Sequence, residues 1–314
     1  MATKTLTENI TQAINDFDAI KTAIVAKGVD VPVGTPTSDY GVKIDAIPSG
    51  AEPPAIGFVP TKWDANGRIE EGDFYGRMPS YYFYIYLQGT TTLRHPYVIQ
   101  SLRNINIINA DIIGIYAFYR CSSLTSVSLP ESLNYISNYS FEQCSQLNLE
   151  ELPGGITYIG EGAFKSCVEL RLQNLPDELT QIDTAGFSGC IKLALTSLPD
   201  GLTSIRDSVF SGCTNLALTS LPDGLTSIGG SAFRSCTNLA LTSLPDRLTS
   251  IGQQAFYNCI GLTTITFNSK PTTLYNNAFQ DCTNLLTINV PWSLGEVAGA
   301  PFGATNATIN YNVT

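Results

Sequence analysis

The sequence FSGCIKLALTSLPDGLTSIRDSVFSGCTNL, residues 187–216, contains one complete structural repeat and the beginning of the next. Its two cysteines, Cys190 and Cys213, define a 23-residue interval, and the same interval separates every consecutive pair of cysteines in the chain. A regular period of about 20–30 residues is typical of a solenoid, in which each repeat packs on its neighbours. The eight cysteines are Cys121, Cys144, Cys167, Cys190, Cys213, Cys236, Cys259 and Cys282.

Other positions repeat in the same register. A phenylalanine precedes each cysteine by three residues, a leucine follows it by three, and another apolar residue, usually followed by proline, follows it by eight. An isoleucine follows by fifteen residues from Ile136 to Ile251, and Leu274 replaces it in one irregular repeat. We expect two buried columns, one of cysteines and one of phenylalanines. The phenylalanines are Phe118, Phe141, Phe164, Phe187, Phe210, Phe233, Phe256 and Phe279.

The repeats predict one solenoid over residues 98–314, with parallel strands, short helical turns and about nine or ten rungs. Both ends depart from the pattern, as capping rungs do. Residues 98–120 keep only Ile113 and Phe118 in register. At the other end Phe302 is in register, but Thr305 takes the cysteine position. We therefore expect a C-terminal cap that begins at about residue 288.

The strand after each cysteine occurs in two forms. The second inward apolar residue is the sixth after the cysteine in some rungs, such as Val127, and the fifth in five consecutive central rungs, such as Leu195. Side chains alternate between the two faces of a strand, so this shift moves the point at which the strand bends. The outward residues of the last three central rungs are small and identical, which disfavours a specific pocket on that surface.

The cysteine column has three interpretations. Equivalent residues of stacked strands lie about 4.8 Å apart, within reach of a disulfide, but their side chains point the same way and the bond would be strained. Zinc needs four converging ligands, and no C-x-x-C pair is present. Free cysteine packs as a small buried group. The pattern therefore favours a ladder of free thiols over disulfides, and a metal least of all.

Residues 1–50 predict a separate helical module for attachment or oligomerisation. Thr5 and Glu8 have the spacing of a capping box, and Gly28 is a natural stop, which predicts a helix over residues 5–28. Its apolar residues alternate in steps of four and three, like a heptad seam. Such a helix either packs on its own domain or binds a partner, including copies of itself. The seam consists of Leu6, Ile10, Ala13, Phe17, Ile20 and Ile24.

Residues 51–97 predict a linker followed by a β-rich cap. The linker begins in the stretch PSGAEPP, residues 48–54, and the aromatic, strand-like residues after it include the run Tyr81–Tyr86. Aromatic clusters bind sugars or anchor interfaces. A first rung must also be covered, because its apolar edge would otherwise be exposed. The pattern favours the covering role for these aromatic residues.

Composition and motifs exclude several classes of function. The 17 basic and 27 acidic residues disfavour nucleic acid or an anionic membrane as a partner. No apolar run approaches the roughly 20 residues needed for membrane insertion, and residues 1–6 do not begin like a secretory signal, so we expect synthesis in a reducing cytosol. His95 is the only histidine, and no phosphate-binding glycine motif precedes a helix. We therefore expect no enzymatic activity and no catalytic, cofactor-binding or metal-binding residues.

Sequence variation among the repeats is greatest in the turn after the isoleucine and just before each cysteine. Exposed turns are where repeat proteins commonly bind ligands, although exposed positions also drift without function. Tyr139, Arg206, Arg234 and Tyr257 are the candidate recognition residues in these turns.

The unit C-x-x-L…L-P-x-x-L-x-x-I-x-x-x-x-F-x-x-C over residues 98–314 resembles the BspA-like class of bacterial leucine-rich repeats. The resemblance implies a leucine-rich-repeat solenoid, curved or flat, that binds surfaces. Known members of the class include secreted adhesins with export signals.

The N-terminal string AKGVDVPVGT, residues 26–35, with Ser38–Tyr40 and Lys43–Ile44, resembles a module at the front of bacteriophage virion proteins, often tail fibres. Residues 290–309 resemble the ends of phage-encoded repeat proteins. We therefore expect a virion protein that binds other virion proteins, or copies of itself as a trimer, through residues 1–50. Its solenoid would recognise a host cell-surface protein or glycan, or decorate the particle. The alternative is a bacterial surface adhesin or interaction module.

Overall fold

The computed structural model describes residues 57–63, 69–75, 84–85, 97–98 and 102–313. Side chains are described at Glu71 and throughout residues 102–313. The predicted helix over residues 5–28, its apolar seam, the PSGAEPP stretch and His95 lie outside the described residues. Most of the Tyr81–Tyr86 run lies outside them as well.

The described residues form 18 short strands. They are β1 (Gly57–Trp63), β2 (Ile69–Tyr75), β3 (Tyr84–Ile85), β4 (Tyr97–Val98), β5 (Asn104–Ile108), β6 (Ile112–Ile113), β7 (Ser126–Ser128), β8 (Tyr135–Ile136), β9 (Tyr158–Ile159), β10 (Gln181–Ile182), β11 (Ser204–Ile205), β12 (Ser227–Ile228), β13 (Ser243–Leu244), β14 (Ser250–Ile251), β15 (Thr264–Phe267), β16 (Thr273–Leu274), β17 (Thr287–Asn289) and β18 (Thr308–Asn310).

One surface of the solenoid, the isoleucine face, consists of the strands that contain the repeated isoleucine. These strands pair in parallel in the orders β6-β8-β9-β10 and β11-β12-β14-β16. Ile136 pairs with Ile159, and Ile228 pairs with Ile251, so each residue faces its equivalent in the next rung. This regular register confirms the predicted leucine-rich-repeat solenoid.

A second surface, the leucine face, consists of the strands that follow the cysteines. It contains two four-stranded sheets, β1-β2-β5-β7 and β13-β15-β17-β18. Between them, in the central rungs where the inward residue is the fifth after cysteine, residues 148–239 have no strand on this face. Isolated backbone bonds remain there, such as Ala217 N to Leu195 O at 3.1 Å. Between two shifted rungs the ladder is therefore reduced to such single bonds, and it resumes where the last shifted rung, which contains β13, pairs with β15.

The third surface, the turn face, carries the segment that ends at each cysteine. Hydrogen bonds of the i+3 to i type follow one another there, for example Tyr119 N to Tyr116 O and Cys121 N to Phe118 O. Left-handed residues such as Tyr116 (φ 56°) and Arg120 (φ 61°) interrupt the path. The predicted helical turns are thus series of tight turns. Their alternate N–H groups donate to the next rung, as Phe118 N does to Ser140 O at 2.7 Å.

The core contains a continuous column of stacked phenylalanine rings. From Phe118 to Phe279 all eight rings are buried with no exposed area. Successive ring centroids are 5.0–5.9 Å apart, and the ring planes are within 15° of parallel. Aromatic pairs at such distances are more favourable than their buried area alone implies. The column therefore joins every rung to the next.

The eight cysteines form a second buried column, and all of them are free thiols. Each thiol from Cys144 onward donates a hydrogen bond to the carbonyl of the phenylalanine 26 residues earlier, at 2.9–3.1 Å. The same carbonyl accepts the backbone N–H of the cysteine in its own rung. The thiols therefore hydrogen-bond between rungs as well as filling space, which treating them as small apolar groups did not anticipate.

The last rung differs from its sequence alignment. Ala304, not Thr305, occupies the position of the cysteine: its N–H bonds to Pro301 O at 3.0 Å, as each cysteine N–H bonds to its phenylalanine, and its side chain is buried. Thr305 is exposed. Because Ile288 pairs with Ile309 in the parallel pair β17–β18, this rung is shorter than the regular repeat. The expected alignment at Thr305 was wrong for that reason.

At the N-terminal end the sheet of the leucine face continues into a hairpin. Strands β1 and β2 pair antiparallel, and β2 pairs in parallel with β5, with Gly72 opposite Ile105. The Asn104 side chain donates to Glu71 Oε1 at 3.1 Å across this junction. Two strands of the chain before the first rung thus cover its β5 edge. A separate antiparallel pair joins β3 to β4.

Candidate functional site

The four candidate recognition residues lie in three separate clusters of side chains. Tyr139 belongs to a tyrosine cluster, Arg206 to an aspartate cluster, and Arg234 and Tyr257 to an arginine cluster. Each cluster joins equivalent or nearly equivalent positions of neighbouring rungs, so each is a product of the repeat.

The tyrosine cluster consists of Tyr116, Tyr119, Tyr139 and Glu161. The rings of Tyr116 and Tyr139 stack with centroids 4.9 Å apart, and Tyr119 meets Tyr116 edge-on at 5.2 Å. The Tyr139 hydroxyl donates to the Glu161 carboxylate. Burial, together with this bond, raises the pKa of Tyr139.

Tyr139 has little ring surface left for a ligand. One face of its ring lies on Tyr116. On the following rung, a Cβ added to Gly162 would come 2.7 Å from the Tyr139 ring, so the ring packs directly on that glycine. Only the ring edge and the hydroxyl are available. Tyr139 therefore cannot stack on a sugar without leaving its place.

The aspartate cluster consists of Tyr135, Tyr158, Asp183 and Arg206. Tyr135 and Tyr158 stack with centroids 4.2 Å apart, and the Tyr158 hydroxyl donates to Asp183. Arg206 Nε lies 3.0 Å from Asp183 Oδ1. The charge of Arg206 is therefore already paired in the free protein, which weakens its case as a ligand-binding residue.

The arginine cluster consists of Arg234, Gln254 and Tyr257. The guanidinium carbon of Arg234 lies 4.1 Å from the centroid of the Tyr257 ring, a cation–π contact. Arg234 Nη1 donates to Gln254 Oε1 at 2.7 Å. A hydrogen bond to Asp281 raises the pKa of Tyr257. Two of the four candidate residues are thus in direct contact.

The partners of these residues were not predicted, although the sequence contains a signal for them. Arg206 occupies the position of Asp183 one repeat later, and Tyr257 likewise occupies the position of Arg234. Lys165 and Glu142 follow the same rule and form an ion pair at 3.0 Å, with the Glu142 side chain only 8% exposed. Searching for complementary residues one repeat apart would have found all three pairs.

One cleft of the described residues also bears on possible chemistry. A cleft of about 410 Å³ lies on the leucine face between successive Leu–Pro corners, where a Cβ added to Gly154 would meet no atom within 4 Å. Asp177 is the single ionisable residue that lines it, beside Asn174 and Ser197. General acid–base catalysis requires proton donors and acceptors placed around a substrate, and one exposed carboxylate does not provide them.

In the part of the chain that the structure describes, no three His, Cys, Asp or Glu side chains converge as a metal site would require. Nor does any helix there have the length and apolarity to cross a bilayer.

Comparison with known proteins agrees with the fold. The chain is similar to a leucine-rich repeat protein from Bacteroides ovatus, with 20% identity, a TM-score of 0.50, and 83% of this chain and 76% of that one covered. It also aligns with the Treponema pallidum leucine-rich repeat protein, with 22% identity, a TM-score of 0.44, and 60% and 91% covered. No curated protein matches the sequence significantly.

The family comparison is more specific than these structural likenesses. The family model described as the BspA type leucine-rich repeat region matches residues 97–217 and 203–313. These ranges include the solenoid from its first rung to its last strand and exceed half of the chain. The chain therefore belongs to the BspA-type leucine-rich repeat family.

Proposed function

We propose that the chain is a non-enzymatic bacteriophage virion protein, of the tail-fibre type, in which residues 1–50 attach to the particle and the solenoid recognises the host surface. The observation that carries the virion role is the N-terminal string AKGVDVPVGT with its resemblance to virion proteins. The heptad-like seam from Leu6 to Ile24 supports it, since a helix of that length gains most of its stability from a partner.

The backbone hydrogen bonds between the rungs support a binding role for the solenoid. On all three surfaces the rungs bond to one another, and the columns of phenylalanine and cysteine hold them rigidly in register. Repeat arrays of this kind present extended surfaces whose side chains can vary without disturbing the core. The turn face carries that variation, so we place recognition there.

The alternative is a bacterial surface adhesin or interaction module. Membership of the BspA-type family favours it, because the family assignment concerns the solenoid and is independent of the N-terminal string. In this alternative the solenoid has the same binding role, and residues 1–50 serve a cell-bound partner.

The deciding experiment compares the full chain with a variant that lacks residues 1–50. We expect the full chain to copurify with phage particles. The truncated chain should be absent from particles yet melt as cooperatively as the full chain. Ile10→Asp and Ile20→Asp, on the seam, should also prevent incorporation, whereas Gln12→Asp, off the seam, should not. Assembly of the truncated chain onto particles would refute the division of labour, and a full chain found on bacterial cells but never on particles would establish the alternative.

A further inference from the structure

Arg234 differs from the ion-paired cations of the solenoid in the partners that hold it. Five described basic residues form ion pairs with carboxylates: Lys165, Arg171, Lys192, Arg206 and Lys270. Arg234 instead rests on the ring of Tyr257 and bonds to the neutral amide of Gln254. Its side chain is therefore fixed in position by two contacts that leave its charge unneutralised.

Small residues occupy the positions equivalent to Arg234 in the preceding rungs. Tyr257 covers the guanidinium from the following rung. The equivalent positions of the two preceding rungs are Ser211 and Ser188. Asp281, which hydrogen-bonds to Tyr257, belongs to the rung after Tyr257, whereas the two serines belong to the rungs before Arg234. The carboxylate of Asp207, on the preceding rung, already accepts the N–H of Gly230 at 2.6 Å. An anion can thus approach Arg234 over the serines.

The backbone around Arg234 cannot bind an extended peptide. Gly189 N bonds to Ser211 O at 2.7 Å, and Gly212 N bonds to Arg234 O at 2.7 Å. A peptide that adds to a sheet needs a row of free backbone groups. Here these groups join one rung to the next, so a ligand must be recognised by side chains: the guanidinium, the Gln254 amide and the serine hydroxyls. Such groups match the anionic and hydroxyl groups of a sugar.

We infer that Arg234, held in place by Tyr257 and Gln254, is the anion-binding residue of the turn face and that its partner is an acidic glycan bearing carboxylate or phosphate groups. The inference rests on the proposed host-recognition function and specifies its ligand. Arginine suits this role because its planar guanidinium binds both anions in a bidentate manner and stacks on aromatic rings.

The test measures binding of the full chain to four probes at low and at physiological salt. Oligogalacturonate supplies carboxylates on a glycan, polyglycerol phosphate bearing sugars supplies phosphates, dextran is the neutral glycan, and poly-L-glutamate is the acidic peptide. The variant Arg234→Gln removes the charge. Arg247→Gln is its control, because Arg247 is exposed, whereas Arg234 is half-buried, and forms no ion pair with any described residue. Ser211→Trp covers the approach, and Ser220→Trp adds the same bulk on the leucine face.

We expect one of the two acidic glycans to bind, with dextran and poly-L-glutamate weaker, and Arg234→Gln to weaken binding by about tenfold to a hundredfold. Ser211→Trp should do likewise, and both controls should bind normally. Binding by neither acidic glycan, equal loss in Arg247→Gln, or stronger binding of poly-L-glutamate would overturn the inference. Host-cell binding that survives Arg234→Gln would also overturn it but leave the proposed function standing. Absence of any host-cell binding by the unaltered chain would refute the proposed function itself.

Discussion

Phe210 occupies the middle of the phenylalanine column, and its replacement tests how far that column determines stability. The ring is fully buried, with the centroids of Phe187 and Phe233 at 5.9 and 5.6 Å. Phe210→Ala leaves a cavity between two rungs, which should cost about 3–5 kcal/mol of unfolding free energy. Phe210→Leu keeps much of the apolar volume but loses two ring contacts of about 0.5–1.5 kcal/mol each, so we expect about 1–3 kcal/mol.

Urea unfolding measures these differences with two probes. Far-ultraviolet circular dichroism reports on the whole solenoid. In a Trp63→Phe background, tryptophan fluorescence reports on the C-terminal end, where Trp292 is 4% exposed and packs against Phe267 at 5.2 Å. Coincident transitions would justify a single unfolding free energy, as required for the comparison. Ser220→Ala, exposed on the leucine face of the same array, is the control and should change the midpoint little.

A loss of less than about 1 kcal/mol in Phe210→Ala would refute the reasoning, because no buried phenylalanine in a close-packed core is removed at so small a cost. Equal stability of the Leu and Ala variants would be as damaging. It would show that cavity size does not decide the stability of the column, since both variants lose the same ring contacts.

Two further predictions concern buried polar groups. Ser140 is fully buried and its hydroxyl has no hydrogen-bond partner, so Ser140→Ala, which reproduces the Ala163 of the next rung, should raise the unfolding free energy by about 1 kcal/mol in the same urea assay. Burial raises the pKa of Cys213 to about 12 and that of Cys282 to about 12. Thiols in the unfolded chain ionise near pH 8.5, so below that value they add no pH dependence. As pH rises from about 9 towards 12 only the unfolded chain loses thiol protons, and each thiol should then lower stability by up to about 1.4 kcal/mol per pH unit. Cys213→Ala should reduce that slope by one thiol, and an unchanged slope would contradict the assignment. In thiol titration at pH 8 all eight cysteines should react in denaturant and few in the native protein.

The repeat explains why so much of the fold could be predicted. Once Phe187 and Cys190 are seen to recur in every repeat, translation along the solenoid axis places each equivalent residue against its copies. The burial of both columns can therefore be predicted without knowledge of side-chain conformation. The prediction is wrong where the 23-residue period ends. Ile288 pairs with Ile309, so the last rung is shorter, and Ala304 occupies the cysteine position.

The recognition surface was less predictable because it depends on side-chain conformation. Variation pointed to Arg206 and Arg234 equally, but only the structure shows that one is paired with Asp183 and the other lies on a tyrosine ring. Likewise, the bond from each thiol to a phenylalanine carbonyl depends on the depth of the turn, which the spacing of residues does not reveal. The attachment helix over residues 5–28 stays a prediction.

Residues 194–205 and 217–228 have the identical sequence ALTSLPDGLTSI, and both lie between the same two buried columns. Each phenylalanine in this region stacks on its own copy one rung away, and each thiol bonds to the neighbouring rung in the same way. Removing or duplicating one whole repeat between two cysteines therefore creates no interface that the protein does not already have. Recombination between the stretches of the gene that encode these two segments would make such changes in whole units. The length of the solenoid can therefore evolve in single genetic events, by about 4.8 Å for each repeat. The residues at both ends stay unchanged.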